Sequence, residues 1–173
     1  MTVRQWSLWL QPERDAAAEL HAVIARLAAV HGTAVFAAHL TLLGPLEREA
    51  GAAVIGLGRL ADSLSPLRVR FGELGCERVW QRSIYLAADS SVALDRALLA
   101  GVRAFSASEQ PAIMSHLSLQ YSRLPVAEKQ RLAASLAVEL PMTVCFDRLS
   151  LWHTEGSDAR RWRLLAARPL QDG

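Results

Sequence analysis

A short pattern occurs twice in this sequence, and it constrains the fold more than any other feature. Residues 39–42 read His-Leu-Thr-Leu, and residues 116–119 read His-Leu-Ser-Leu. Each copy is followed by a segment of helical character and then by an alternating segment that starts at Pro66 or at Pro141. The histidine precedes this proline by 27 residues in the first copy and by 25 in the second. The repeat predicts two similar lobes related by an approximate two-fold axis.

Both copies show the alternation of a β-strand, in which residues i and i+2 project from the same face, about 6.6 Å apart. His39 and Thr41 therefore point to one side of the first strand, while the leucines point to the other. His116 and Ser118 repeat the arrangement. A two-fold pairing of the lobes brings two imidazoles and two hydroxyls to one centre.

Such a group of side chains can hydrolyse a phosphodiester without a metal ion. A neutral histidine deprotonates water, a protonated one gives its proton to the leaving oxygen, and the hydroxyls bind the non-bridging oxygens. The alternative is that both segments are core strands whose histidines bond buried carbonyls. A third His-x-Thr, at residues 31–33, falls at a predicted helix end, where a histidine favours the helix dipole.

The remaining sequence predicts one α+β domain spanning residues 1–173. Each of its two pseudo-symmetric lobes would have an antiparallel sheet with helices on its outer side, and the active-site cleft would lie between them. The predicted strands cover residues 1–11, 35–43, 66–75, 78–88, 114–121, 142–154 and 161–167. The predicted helices cover residues 12–30, 47–64, 91–106 and 126–140.

Composition narrows the functional classes. Nineteen basic residues against seventeen acidic ones give a net charge of +2, which falls short of a basic nucleic-acid stripe. Two cysteines exclude a disulfide framework and a cysteine-rich zinc site. The few cysteines predict a reduced, cytoplasmic location. The sequence lacks a signal peptide and any apolar run of about 18 residues, so we expect no membrane partner. We also expect a monomer.

Five tryptophans are many for 173 residues, and an aromatic ring at the rim of a cleft can stack on a nucleobase. Trp9 and Trp80 are candidates by position, with Gln81 beside the second. Core packing is the competing interpretation for both rings. The arginines around Trp162 could steer a phosphate, or could be the charges of an exposed strand. We expect His21 and His153 to be structural or surface residues.

Three segments resemble the 2H phosphoesterases, a family named for two His-x-Thr/Ser motifs in two pseudo-symmetric lobes. The closest likeness is to the cyclic phosphodiesterase branch of plants and yeast. Residues 116–121, His-Leu-Ser-Leu-Gln-Tyr, resemble its His-Leu-Ser-Leu-Leu-Tyr segment. Residues 6–9, Trp-Ser-Leu-Trp, resemble its Tyr-Ser-Val-Trp, and residues 151–155 resemble its late Cys-Lys-Thr-Asp stretch.

This resemblance implies a role for each motif residue. His39 and His116 would be the catalytic acid–base pair, Thr41 and Ser118 would bind the phosphate, and Tyr121 would be a further substrate contact. Trp9, Trp80 and Gln81 complete the set of candidate substrate-binding residues. Neither a metal nor a cofactor is implied.

The implied reaction is the opening of a small cyclic phosphate, either a nucleoside 2',3'-cyclic phosphate, giving the 2'-phosphate, or ADP-ribose 1'',2''-cyclic phosphate. One alternative is an enzyme that acts on RNA ends, as an RNA 2',3'-cyclic phosphodiesterase or on 2'-5' linkages. The modest charge disfavours it, because an RNA strand needs several phosphate contacts. Another alternative is a non-catalytic nucleotide-binding module.

Overall fold

Strands and helices alternate regularly along the chain in this computed structural model, which describes residues 4–107 and 114–171. The strands are β1 (Arg4–Pro12), β2 (Leu40–Arg48), β3 (Leu67–Cys76), β4 (Ile84–Ala88), β5 (His116–Gln120), β6 (Met142–His153) and β7 (Arg163–Pro169). The helices are α1 (Arg14–His31), α2 (Ala50–Ala61), α3 (Val92–Ala104) and α4 (Val126–Ala134). Single 3-10 turns occupy Trp80–Arg82 and Ala159–Arg161.

All the strands belong to one antiparallel sheet, in the order β1-β2-β5-β4-β3-β6-β7. β1 also pairs with β6, so six strands close into a ring and β7 extends it from β6. The α+β class with antiparallel pairing is thereby confirmed. The strands of the two halves share one barrel-like sheet and not one sheet each.

The two-fold relation between the halves is visible in the strand register. Leu40 pairs with Leu117, and Val69 pairs with Val144, so residues at equivalent places of the repeat face each other. Exchanging β1 with β4, β2 with β5 and β3 with β6 reproduces the same set of strand pairings in the ring. Each half is therefore a β-α-β-α-β unit, one strand and one helix longer than the repeat alone indicated.

The leucines of the two motifs form the core beneath the helices. α1 packs on β5, α3 on β2, α4 on β3, and α2 on β6 and β7. Fully burying one leucine contributes roughly 1.5–3 kcal/mol, so this apolar face fixes which way each motif strand turns. The buried leucines of the motifs and of β1 are Leu8, Leu10, Leu40, Leu42, Leu117 and Leu119.

The first motif strand differs from its predicted bounds. It was expected at residues 35–43, but β2 begins at Leu40 and continues to Arg48 through Gly44 and Pro45. The proline is tolerated because the register with β1 is irregular on both sides of Leu8. A Cβ at Gly44 would lie 2.9 Å from the Ser7 hydroxyl oxygen, so glycine permits this close approach of the strands.

Other elements also differ from their predicted bounds. α4 ends at Ala134 and not at residue 140, and α2 begins at Ala50 because residues 47 and 48 belong to β2. Residues 80–82 form a 3-10 turn and not part of a strand. Within the described residues, no helix is both long enough and apolar enough to cross a bilayer.

Candidate active site

The polar faces of the two motif strands open into one cleft of about 830 Å³. Both motif histidines reach it, so the structure brings together side chains that lie 77 residues apart in the sequence. The predicted site residues that line the cleft are Trp9, His39, Thr41, Trp80, Gln81, His116 and Tyr121. Ser118 does not reach it.

His39 lies immediately before β2 and is almost fully buried. Its Nδ1 donates to the Ala37 carbonyl over 2.7 Å, which leaves Nε2 with a lone pair in the neutral ring. Nε2 is 3.4 Å from the Tyr121 hydroxyl. The ring stacks on Trp9 with the two centroids 3.5 Å apart and an angle of 8°. His39 is thus held in the tautomer that a general base requires.

Burial also sets the charge of His39. It lowers the pKa of the imidazole from 6.5 to about 4. The bond to the Ala37 carbonyl acts in the opposite direction, and the nearby His116 lowers the pKa further. His39 is therefore neutral at physiological pH.

This lowered pKa predicts a loss of stability in acid. The unfolded chain binds a proton at His39 below pH 6.5 and the folded chain only near pH 4, so stability falls as the pH drops between them. The full difference in pKa corresponds to about 3 kcal/mol. Urea unfolding across this range should show a steeper loss in the wild type than in His39→Gln. Since His21 is exposed on α1, His21→Gln should keep the wild-type slope; equal slopes in all three proteins would contradict the assignment.

His116 repeats the geometry of His39 in the second half. Its Nδ1 donates to the Met114 carbonyl over 3.1 Å, again the carbonyl two residues earlier. Burial lowers the pKa of His116, and the Arg82 guanidinium lowers it as well. The carbonyls of Met114 and Gln81 and the Glu77 carboxylate raise it. His39 has one carbonyl that stabilises its charged form, whereas His116 has two carbonyls and a carboxylate that do so.

The two predicted phosphate-binding hydroxyls are placed differently. Thr41 is exposed and lines the cleft. Ser118 is buried, and its Oγ donates to the Gln81 carbonyl over 2.8 Å. Ser118 thus stabilises the cleft wall through its bond to the Gln81 carbonyl, and Thr41 is the motif hydroxyl that can contact a ligand directly.

The cleft carries little fixed charge. Among its described lining residues, Arg82 and Asp95 are the ones with a permanently charged side chain. Arg82 is paired with Glu77 at 2.9 Å. No group of three His, Cys, Asp or Glu side chains in residues 4–107 and 114–171 is arranged to hold a metal ion.

Comparison with known protein families shows to which family this chain belongs. A family model described as the 2'-5' RNA ligase superfamily matches residues 12–158, most of the chain. The chain belongs to that superfamily, the 2H phosphoesterases. The resemblance of the motifs is thereby confirmed, while the branch within the superfamily stays a prediction.

Solved structures show the same fold. E. coli LigT without ligand is 15% identical, covers 99% of this chain and 100% of its own, and superimposes with a TM-score of 0.66. LigT complexed with 3'-AMP is 17% identical with the same coverage and a TM-score of 0.62. The protein TT0787 of Thermus thermophilus is 18% identical over 96% of this chain and 97% of its own, with a TM-score of 0.61. A search of curated proteins finds no match.

Aromatic rings form one wall of this 2H phosphoesterase cleft. Trp9 is buried between His39 and Trp152, the latter at 4.7 Å and 21°, so it positions the histidine from behind. Trp80 is partly exposed and stacks on Tyr121 at 4.7 Å and 21°. Gln81 contributes its carbonyl to the wall, while its side chain is exposed.

Burial keeps Tyr121 in its protonated form. It raises the pKa of the phenol to about 12, and a bond with Ser118 acts in the opposite direction. The hydroxyl is therefore a donor that can point at His39 Nε2, 3.4 Å away. This geometry is consistent with the predicted role of Tyr121 beside the phosphate.

Trp162 is a cleft residue that the motif analysis did not include. It lies edge-on to Tyr121 at 5.4 Å, to Trp9 at 5.6 Å and to Trp80 at 6.3 Å. A signal was present in the sequence, because the arginines at positions 161 and 163 place this tryptophan in a charged segment. Of these arginines, Arg160 donates to the Gly32 carbonyl outside the cleft.

The other histidines are placed as expected from the sequence. His31 is the last residue of α1 and lies 3.7 Å from a carboxylate oxygen of Glu128. His153 packs edge-on against Trp6 at 5.5 Å. Neither residue lines the cleft.

Proposed function

We propose that this 2H phosphoesterase hydrolyses small cyclic phosphates by a two-histidine acid–base mechanism that needs no metal. Its substrates would be a nucleoside 2',3'-cyclic phosphate or ADP-ribose 1'',2''-cyclic phosphate. One observation carries the proposal: two imidazoles line one cleft, and each has Nδ1 bonded to the carbonyl two residues earlier, which leaves Nε2 as the nitrogen for proton transfer.

The surroundings of the two rings give them different roles. His39 is neutral and accepts the proton of the attacking water at Nε2. The water oxygen bonds to phosphorus, the bond from phosphorus to the leaving oxygen breaks, and His116 Nε2 donates a proton to that oxygen. Thr41 donates to a non-bridging oxygen, and Tyr121 orients the phosphate or the water beside His39. Transfer of a proton from His39 back to His116 then restores the resting state.

The cleft favours a small substrate over an RNA strand. Its fixed charges are a paired arginine and one aspartate among the described lining residues, whereas a strand of RNA needs a succession of cations. The aromatic wall of Trp80, Tyr121 and Trp162 offers faces and edges to a single base. E. coli LigT, a structure of the same fold, has been crystallised with 3'-AMP, which is a ligand of this size.

We expect turnover to be independent of added metal. Purified protein should open nucleoside 2',3'-cyclic phosphates in EDTA at the rate seen without it, and Mg²⁺, Mn²⁺ or Zn²⁺ should add little, because the imidazoles and hydroxyls handle all the charge. Loss of turnover on chelation, restored by Mn²⁺ or Zn²⁺, would contradict the mechanism. Binding without turnover under any condition would favour the nucleotide-binding module.

Action on RNA ends is the second candidate, favoured by the name of the matching superfamily. A competition assay between the mononucleotide and oligonucleotides ending in a 2',3'-cyclic phosphate distinguishes a small substrate from an RNA end. We expect the mononucleotide to have the higher kcat/KM. We further propose that residues 1–173 act as one bilobal unit, since both halves of the repeat contribute to the lining of the cleft, and that the protein is a cytoplasmic monomer.

A further inference from the structure

Glu77, in the connection between β3 and β4, is engaged through both of its carboxylate oxygens. Oε2 accepts two bonds from the guanidinium of Arg82, at 3.0 Å and 2.9 Å. Oε1 accepts the Tyr85 hydroxyl at 2.9 Å. The bonds from Arg82 lower the pKa of Glu77, so the carboxylate is ionised. Burial and Glu77 raise the pKa of Tyr85 to about 12, so the phenol keeps the proton that it donates.

The chain around Glu77 is built to hold this cluster. Lys129 is fully buried in α4, and its Nζ donates to the Glu77 carbonyl over 2.7 Å. Gly75 pairs with Tyr85, and a Cβ there would lie 2.5 Å from Cζ of the tyrosine ring. Glycine therefore leaves the space in which the ring crosses β3 to reach the carboxylate.

Tyr85 is the two-fold equivalent of Trp9. Trp9 pairs with Thr41 across β1 and β2, and Tyr85 pairs with Ser118 across β4 and β5. Each aromatic ring lies against the histidine of its own half, Trp9 by stacking and Tyr85 edge-on at 5.6 Å. The two histidines therefore share a backbone geometry but differ in the ring beside them.

The polar ends of these two rings differ in charge. The indole Nε1 of Trp9 donates to the neutral hydroxyl of Ser7 at 2.7 Å. The hydroxyl of Tyr85 donates to the carboxylate of Glu77. The half that holds His39 thus has a neutral partner at this position, and the half that holds His116 has an anion. This is the asymmetry expected between a general base and a general acid.

We propose that Glu77 is a positioning residue for His116: its carboxylate neutralises Arg82 and holds Tyr85 against the imidazole, so that His116 can carry the proton it gives to the leaving oxygen. The inference rests on the proposed function in taking His116 as the acid. The charges acting on His116 agree, since Glu77 raises its pKa and Arg82 lowers it. The titratable and charged groups around the ring are Tyr85 from β4, Glu77 and Arg82 from the β3–β4 connection, His39 before β2 and Asp95 from α3.

The test is a titration of the histidine Cε1 protons by NMR in the free protein, which needs no substrate. Glu77→Gln keeps the shape of the side chain and leaves the Arg82 charge uncompensated, so the midpoint of His116 should move to lower pH. Arg82→Gln should move it to higher pH, and the double variant should return it close to the wild-type value. Glu73→Gln removes an exposed carboxylate from β3, four residues before Glu77, and should leave the midpoint of His116 unchanged. The signal of His116 is identified from its disappearance in His116→Gln.

Kinetics give an independent measurement. In Glu77→Gln the alkaline limb of kcat/KM against pH should move to lower pH while the acid limb, set by His39, stays in place. A shift of one pH unit corresponds to about a tenfold loss of kcat/KM on that limb.

An unchanged titration midpoint of His116 in both single variants would overturn the inference, whether or not the wild-type protein hydrolyses cyclic phosphates. A His116 midpoint that moves in the same direction in Glu77→Gln and in Arg82→Gln would also overturn it. Opposite shifts in a wild type that turns over no cyclic phosphate would support the coupling of Glu77 to His116 and refute the proposed function. Arg82→Gln keeps the test decisive if Glu77→Gln fails to fold.

Discussion

Replacing either cleft histidine by alanine is expected to lower turnover of a cyclic phosphate by roughly 10²- to 10⁴-fold, the usual contribution of general acid–base catalysis. The reason is that each imidazole performs its own proton transfer, and no other described residue lining the cleft carries an imidazole. His21→Ala, an exposed histidine on α1, is the matched control and should retain wild-type rates. Near-normal activity in a folded His39 or His116 variant would refute the mechanism.

The identity of the leaving group separates the two roles. A phosphodiester whose leaving phenolate is stable without a proton makes the general acid dispensable, so His116→Ala should lose far less activity on it than on a cyclic nucleotide. His39→Ala should lose the same on both, because water must still be deprotonated. Equal losses for the two variants on both substrates would refute this division of roles. Thr41→Val and Ser118→Ala should each cost less than either histidine variant.

A nucleoside 2',3'-cyclic phosphate is expected to give the 2'-phosphate as a single product. Water activated at His39 enters opposite the oxygen protonated by His116, so the orientation of the bound ribose selects the bond that breaks. The cleft offers only one orientation because its two sides differ: Thr41 is open to it where Ser118 is not, and Tyr121 has Gly44 as its counterpart in the other half. The resemblance to the cyclic phosphodiesterase branch implies that the 3' oxygen leaves.

Phosphorus NMR of the product against both monophosphate standards measures this outcome. Hydrolysis in ¹⁸O-labelled water should place the label on the phosphate and not on the ribose, since the water oxygen bonds to phosphorus. A predominant 3'-phosphate or an even mixture would show that the orientation argument is wrong.

The two-fold axis could be predicted because the repeat that indicates it is recognised from local alternation and spacing in the sequence. Residues i and i+2 share a face in any strand, so the placement of His39 with Thr41 followed from the sequence alone. The start of β2 did not follow from it. Val35 and Phe36 have strand-like side chains, but Phe36 packs on Tyr121 at 4.3 Å and Ala37 supplies the carbonyl for His39, which holds this segment outside the sheet.

Contacts between distant parts of the chain were beyond the sequence. The burial of Ser118 depends on the carbonyl of Gln81, which becomes its neighbour only when β4 and β5 pair. Trp162 reaches the cleft because the turn before β7 brings it beside Trp9, more than 150 residues earlier. Glu77 carried no motif, and its role emerged from the bonds to Arg82 and Tyr85.

Closure of the strand ring through β1 and β6 has a consequence for biosynthesis. Trp9, on which His39 stacks, also stacks on Trp152, so the surroundings of His39 are complete only after β6 has left the ribosome. Pairing the two ends of a chain is slow compared with local helix formation, because the whole intervening loop must be ordered. A nascent or truncated chain that ends before β6 therefore has its first motif but lacks part of the aromatic packing around His39.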